Sequence, residues 1–121
     1  MLRDQRPDIP YPGHWDLPGG GREGDESPQA CALRETNEEF GLHLNQDIIQ
    51  YSTSRDGGLP GKGITWFFGV EMPNLKPAHI SFGTEGQKWL LMPLGMFITH
   101  PLAVPHLSEL LAEWLADKKR S

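Results

Sequence analysis

The chain has 121 residues, of which 37% are hydrophobic and 22% are charged, and its formal net charge is -5. This length and composition indicate a single globular domain over residues 1–121 and exclude an intrinsically disordered chain. The acidic balance gives the surface no net attraction for DNA or RNA, so we expect no nucleic-acid partner. One cysteine excludes an internal disulfide, and no apolar run has the length of a membrane span or the pattern of a signal peptide. We therefore expect a cytoplasmic protein without a membrane partner.

The N-terminal part of the chain combines short strands with turns. Residues 2–6 and 15–17 are predicted as short strands, and the segment between them, RPDIPYPGHW, is too rich in proline and glycine for regular structure. Residues 18–21, PGGG, predict a loop whose backbone can approach other groups closely, because glycine has no Cβ.

A helix is predicted over residues 28–40, because both of its ends carry typical signals. Ser27 is a typical N-cap, Pro28 suits the first helical position, and Gly41 suits the left-handed residue after the last turn. At about 100° per residue, the apolar and small side chains fall on one face and the acidic ones on the opposite face. The first face comprises Ala30, Leu33, Thr36, Asn37 and Phe40; the second comprises Glu35, Glu38 and Glu39.

Strands are predicted over residues 48–54, 64–72 and 88–92, where β-branched and aromatic residues are dense. A last helix is predicted over residues 105–117, since leucine and tryptophan recur there at helical spacing and form a core-facing stripe. Strands in the middle of the chain with a helix on either side predict an α/β sandwich built on a mixed sheet.

Three like charges on one helix face are unfavourable without a partner. Glu35 lies three and four residues before Glu38 and Glu39, so each pair costs a few tenths of a kcal/mol, and the helix dipole disfavours acids in this C-terminal half. A bound cation would reverse the sign of these interactions. Carboxylate oxygens suit Mg²⁺ or Mn²⁺, which commonly act together with substrate phosphates.

The glycines and charged residues around this helix follow a spacing that is similar to a known signature. From Gly20 the chain reads five residues, Glu26, seven residues, Arg34-Glu35-Thr36, one residue, Glu38-Glu39, one residue and Gly41-Leu42. This pattern resembles the Nudix box of the MutT-like hydrolases, and WDLPGGG before it looks like the lead-in of that family. Thr36 replaces the usual aliphatic residue and EGDE shifts a glycine before Glu26, but neither difference removes a ligand.

The resemblance implies a metal site on this helix. Glu35, Glu38 and Glu39 would hold Mg²⁺ or Mn²⁺, with the carbonyl oxygen of Gly20 as a further ligand. It also implies a Nudix-type α/β/α sandwich with a mixed β-sheet that lacks part of its first strand. Because an uncovered sheet edge favours association, we expect a homodimer.

The other motif residues have supporting roles in what the resemblance implies. Arg34 would pair with one of the metal-binding glutamates and fix its rotamer, a positioning role next to the reaction. Glu26 would brace the loop against the helix, and Gly19 and Gly41 would be structural glycines of the motif.

The resemblance also implies the reaction, which is cleavage of a nucleoside diphosphate linked to another group X. Metal ions would neutralise the diphosphate and lower the pKa of a bound water that attacks phosphorus in line. The carboxylate that accepts the proton of this water is left open between Glu35, Glu38 and Glu85. Glu85 lies in TEGQKW, which resembles a loop of MutT-type enzymes where a glutamate joins the metal site.

The substrate is predicted less directly, because residues outside the motif would select X and the base. We expect a small-molecule nucleotide of the (d)NTP type, oxidised purine nucleotides included, and a pyrophosphohydrolase reaction. A nucleotide-sugar hydrolase is the enzymatic alternative, and a nucleotide-binding sensor without catalysis is the alternative of another class. The complete set of acidic residues favours the enzyme, since a sensor has no need to keep charges that destabilise its helix.

Overall fold

The computed structural model describes residues 1–19, 23–56 and 63–120. Its helices are α1 (Pro28–Phe40), α2 (Leu94–Thr99) and α3 (Pro105–Arg120), and its strands are β1 (Ile49–Asp56) and β2 (Ile64–Val70). Short 3₁₀ helices occupy Gln46–Ile48 and Pro77–His79. The α/β class that the sequence predicts is therefore confirmed.

The chain forms two compact units, which are Gly19–Ser81 and the combination of Met1–Pro18 with Phe82–Ser121. The first unit contains α1 and both strands, and the second contains α2 and α3. The organisation of residues 1–121 as one domain stays a prediction.

Helix α1 begins and ends where its local signals predict. The Ser27 hydroxyl accepts a hydrogen bond from the Ala30 N–H at 3.1 Å, which satisfies one of the free donors of the first turn. At the other end Gly41 adopts the left-handed conformation (φ 67°) and its N–H donates to the Asn37 carbonyl. A side chain on Gly41 would also meet the Cβ of Ser81 at 2.8 Å, so both the backbone conformation and the neighbouring chain require glycine there.

Strands β1 and β2 pair antiparallel, with Thr53 opposite Phe67 and Asp56 opposite Ile64. Phe67 is buried whereas Trp66 on the other face is exposed, as the alternation of side chains along a strand requires. The predictions over residues 48–54 and 64–72 located both strands, and only their ends differ.

The second unit contains isolated bridges where the sequence predicts strands. Leu2 pairs antiparallel with both Trp15 and Lys88, and Trp15 pairs parallel with Ala103. The strands predicted over 2–6, 15–17 and 88–92 are therefore wrong in extent, although each contains one paired residue. Pro7, Pro18 and Pro93 directly follow these three segments and lack the N–H donor that a longer ladder needs.

Helices α2 and α3 provide the core of the second unit. Leu110 is 1% exposed, and the buried set also includes Phe97, Ala103, Val104 and Leu111. The core-facing stripe predicted for the last helix is thus confirmed at its centre, and α3 extends to Arg120 rather than to residue 117. The sequence analysis missed α2, a six-residue helix without a side-chain N-cap. No helix among the described residues has the length and apolarity needed to cross a membrane.

Candidate active site

Arg34 on α1 is the centre of a cluster of carboxylates. Its Nη2 lies 2.8 Å from an oxygen of Glu26, and its Nη1 lies 2.9 Å from Glu35 and 3.0 Å from Glu38. Helical spacing brings Glu38 to Arg34, because residues four apart are neighbours on a helix surface. The planar guanidinium can serve several carboxylates at once, since it presents five N–H donors in a fixed plane.

Glu26 connects this helix to the loop before it. Both of its oxygens accept from Arg34, at 3.1 Å from Nε and 2.8 Å from Nη2, and one also accepts from the Glu23 N–H at 2.9 Å. The hydrogen bonds from Arg34 and from the Glu23 backbone lower the pKa of Glu26 to about 2. The same contacts raise the pKa of Arg34 above its ordinary value, so both groups stay charged at neutral pH.

Glu39 connects the other end of α1 to Gly19, in the chain before the helix. Its Oε2 accepts from the Gly19 N–H at 2.9 Å, across twenty residues of sequence. The residue is only 4% exposed and is the one buried charged residue in the described part of the chain. A buried carboxylate needs such donors, because its desolvation is otherwise costly.

The expectation that α1 presents all three carboxylates on a face opposite its buried one is wrong for Glu39. The side chain of Glu38 is 56% exposed and that of Glu35 is 13% exposed, whereas Glu39 is buried together with Phe40. Helical periodicity describes the helix alone, and the contact with Gly19 covers part of its acidic face.

Cys31 is buried on α1 beside this cluster. Its sulfur lies 4.0 Å from Nη2 of Arg34, and burial raises the pKa of the thiol. A neutral, buried thiol is a poor nucleophile, so Cys31 contributes packing rather than chemistry.

The chemistry of this donor set fits a hard divalent cation. Glu35, Glu38 and Glu39 supply carboxylate oxygens from one and a half turns of helix, which is the ligand type that Mg²⁺ and Mn²⁺ prefer. Within residues 1–19, 23–56 and 63–120, no group of three acidic, histidine or cysteine side chains is already arranged around a common centre. Arg34 instead holds Glu35 and Glu38, so a cation would have to compete with the guanidinium for these oxygens.

Two further residues, Gly20 and Glu85, are predicted to belong to the site. Gly20, the candidate carbonyl ligand, lies outside the described residues. Glu85 lies on an exposed bend of the second unit, and its participation in the site stays a prediction.

Sequence reasoning missed one member of the cluster. The Glu23 carboxylate lies 3.7 Å from Arg34 Nη1, and its carbonyl accepts from the Glu26 N–H, which closes a turn containing Gly24 with φ 55°. The residues EGDE carry the glycine typical of such a turn, and this signal could have placed Glu23 beside Glu26.

Comparisons with known proteins agree with the motif. The sequence model of the family described as NUDIX domain matches residues 1–103. The chain is 36% identical over 56 residues to an 8-oxo-dGTP diphosphatase of Proteus vulgaris, a match covering 46% of this chain and 48% of that protein. It is 53% identical over 38 residues to an RNA pyrophosphohydrolase of Acidiphilium cryptum (strain JF-5), covering 31% of this chain and 22% of that protein. No solved structure matches the chain at comparable significance.

The match therefore spans about half the length of the first relative and less than a quarter of the second. Both relatives are named as hydrolases, which agrees with the Nudix hydrolase that the sequence predicts. Since the family match extends over most of the chain, the chain belongs to the NUDIX domain family.

Proposed function

We propose that this protein hydrolyses a nucleoside diphosphate linked to X in a reaction that depends on Mg²⁺ or Mn²⁺, with nucleoside triphosphates as the substrate class. The observation that carries the proposal is the arrangement on α1, where Arg34 holds Glu35 and Glu38 while Glu39 accepts a hydrogen bond from the Gly19 N–H. Arg34 offsets the charges of Glu35 and Glu38, but a helix that only had to fold would not also bury the Glu39 carboxylate.

In this proposal Glu35, Glu38 and Glu39 hold the metal ions, and the carbonyl of Gly20 is a further ligand. The bound ion would supply neutralisation of the diphosphate and a water with a lowered pKa. Arg34 orients Glu35 and Glu38, because two of its contacts with them are shorter than 3.1 Å. Glu26 keeps Arg34 in place through two hydrogen bonds to the opposite side of the guanidinium.

The proton acceptor is one of Glu35, Glu38 and Glu85. A carboxylate must be ionised to act as a general base and must reach the attacking water. Arg34 holds the carboxylates of Glu35 and Glu38 at 2.9 and 3.0 Å from its Nη1, in the same cluster on α1. Glu85 is exposed, so its carboxylate is accessible to water.

The substrate class is supported by the two relatives. The diphosphatase is named for 8-oxo-dGTP, which favours a (d)NTP-type pyrophosphohydrolase that also accepts oxidised purine nucleotides. The RNA pyrophosphohydrolase favours the 5′ end of an RNA as a second candidate. The net charge of -5 argues against the RNA, since a long polyanion would be repelled. A cytoplasmic location and a homodimer also belong to this proposal.

A substrate panel tests the proposal. Purified protein is incubated with Mg²⁺ and, separately, dGTP, 8-oxo-dGTP, a nucleotide sugar and a 5′-triphosphorylated RNA, and the products are separated by chromatography. Pyrophosphate is the expected second product from the triphosphates and the RNA, and a sugar phosphate is the second product from the nucleotide sugar. We expect hydrolysis of the triphosphates, complete loss of activity with EDTA, and recovery on adding Mg²⁺ or Mn²⁺. Binding of nucleotides without any hydrolysis would contradict the proposal and favour the sensor. Preference for the nucleotide sugar would support the proposed metal-dependent hydrolysis but would contradict nucleoside triphosphates as the substrate class.

A further inference from the structure

The loop that carries Glu85 is attached to a separate segment, residues 2–3, by three hydrogen bonds. The Gln87 N–H donates to the Leu2 carbonyl at 2.8 Å, and the Leu2 N–H donates to the Lys88 carbonyl at 2.8 Å. The side-chain amide of Gln87 donates to the Arg3 carbonyl at 2.7 Å. Gln87 therefore holds the loop by its backbone and by its side chain.

Gly86 allows this close approach. It has φ 79°, and a Cβ at this position would lie 2.9 Å from the Leu2 carbonyl oxygen and 2.8 Å from the Met1 sulfur. Any other residue would push the loop away from Leu2 or strain the backbone. The backbone immediately after Glu85 can therefore lie this close to Leu2 only because the residue there is glycine.

The segment that receives these bonds is itself held on its other side. The Arg3 N–H donates to the His14 carbonyl at 2.8 Å, its Nε donates to the Pro10 carbonyl at 2.9 Å, and its Nη1 pairs with Asp16 at 2.8 Å. The Arg3–Asp16 pair is partly buried, so water screens it less than a surface pair. The Arg3 carbonyl, which accepts from the Gln87 side chain, therefore belongs to a residue that other hydrogen bonds already hold in place.

Glu85 itself has no comparable attachment. In the described ranges 1–19, 23–56 and 63–120, its carboxylate takes part in no hydrogen bond or ion pair. The backbone of the loop sets the position of the Glu85 Cα–Cβ bond. The Gln87 side-chain hydrogen bond, two residues away, holds this backbone against Arg3.

We propose that Gln87 is a positioning residue that fixes the loop of Glu85 through the Arg3 carbonyl, with Gly86 permitting the contact. This inference rests on the proposed function, because it assigns Gln87 an effect on catalysis through Glu85. Displacing a catalytic group by about 1 Å can reduce a rate by up to about a hundredfold, so a single hydrogen bond in its support can matter.

A double-mutant cycle tests the inference. Gln87→Met keeps the length of the side chain and removes its donor, and Glu85→Gln removes the charge that Gln87 would position. We expect Gln87→Met to lower kcat on the order of tenfold with KM nearly unchanged. In the Glu85→Gln background the same substitution should have no further effect, because the group it positions is already inactive. Gln50→Met, at an exposed position of β1, is the matched control and should not change kcat.

Amide hydrogen exchange provides a readout that is independent of activity and of metal. Gln87→Met should accelerate exchange of the amides of residues 85–88, while the amides of α1 keep the exchange rates of the unsubstituted protein. Gly86→Ala should have the same local effect and the same kinetic signature. If neither variant alters exchange in this loop, the attachment does not hold it and the inference is wrong.

The kinetic outcomes separate this inference from the proposed function. If the unsubstituted protein hydrolyses nucleotides but Gln87→Met does not change kcat, or lowers it equally with and without the Glu85 carboxylate, only the positioning role is overturned. The same holds if Glu85→Gln is fully active. If the unsubstituted protein hydrolyses no nucleotide at all, the proposed function fails, and the catalytic role of Gln87 fails with it.

Discussion

Helices α1 and α3 are both amphipathic, but they bury different kinds of side chain. Helix α3 buries Leu110 and Leu111, whereas α1 buries Glu39 next to Phe40. Burying a leucine stabilises a fold by roughly 1.5–3 kcal/mol, while burying a carboxylate costs free energy that its hydrogen bonds only offset. Folding alone therefore explains the sequence of α3. The sequence of α1 requires a second explanation, and the metal binding that we propose would supply it.

The largest expected effect is on catalysis and comes from α1. Glu39→Gln keeps an oxygen that can accept from the Gly19 N–H, so the fold should persist, but it removes a charge from the proposed metal site. We expect kcat to fall by orders of magnitude, with a small change in the free energy of unfolding. Steady-state kinetics and urea unfolding of the same preparation measure both quantities. Glu109→Gln, at an exposed position on α3, is the matched control, and an equal loss of activity in both variants would contradict the account.

The corresponding test on α3 should show the reverse pattern. Leu110→Ala removes a side chain that is 1% exposed and should lower the free energy of unfolding by about 2–5 kcal/mol. The fraction that stays folded should keep its kcat, because Leu110 has no part in the chemistry. Leu102→Ala, at a residue that is 47% exposed, should change stability by less than about 0.5 kcal/mol. A loss of kcat without loss of stability in Leu110→Ala would contradict the division between the two helices.

A smaller effect is expected at the N-terminus of α1. Ser27→Ala removes the acceptor of the Ala30 N–H and should cost about 1 kcal/mol of stability. Ser52→Ala, at an exposed strand position, lacks a capping role and serves as the control. Equal urea midpoints for the two variants would show that the cap does not stabilise the helix.

The smallest effect concerns pH. Since contacts with Arg34 and the Glu23 backbone lower the pKa of Glu26 from 4.5 to about 2, the folded state binds its proton less readily than the unfolded state. The stabilisation from Glu26 is therefore complete above about pH 5 and is lost as the pH falls toward 2. Urea midpoints measured across this range should decline less steeply for Glu26→Gln than for the unsubstituted protein. Parallel pH dependences would show that Arg34 does not hold Glu26 in solution.

The comparison of α1 with α3 also shows which features the sequence could predict. Helix α1 was predicted with its observed bounds, because Ser27, Pro28 and Gly41 act through local hydrogen bonds and dihedral angles. Helix α3 was predicted because its leucines recur at the helical period. In both cases the residues that determine the helix lie within it or directly beside its ends.

The parts that were missed depend on distant residues. The burial of Glu39 results from a bond to Gly19, twenty residues earlier, and helical periodicity contains no sign of it. The bridges of Leu2 with Trp15 and Lys88 likewise depend on contacts between segments that are distant in the sequence. Local composition contains no information on these contacts, and it predicted longer strands. The contact of Arg34 with Glu38 follows from helix geometry, whereas its contact with Glu23 depends on the turn before the helix.

The central claim is that the three carboxylates of α1 hold a divalent cation. Crystals of the protein soaked in Mn²⁺ test it directly, because anomalous scattering locates the ion without ambiguity. We predict a peak coordinated by Glu35, Glu38 and Glu39, with Arg34 withdrawn from at least one of the carboxylates that it now contacts. A saturating soak that leaves Arg34 on Glu35 and Glu38, with no peak beside the helix, would contradict the account.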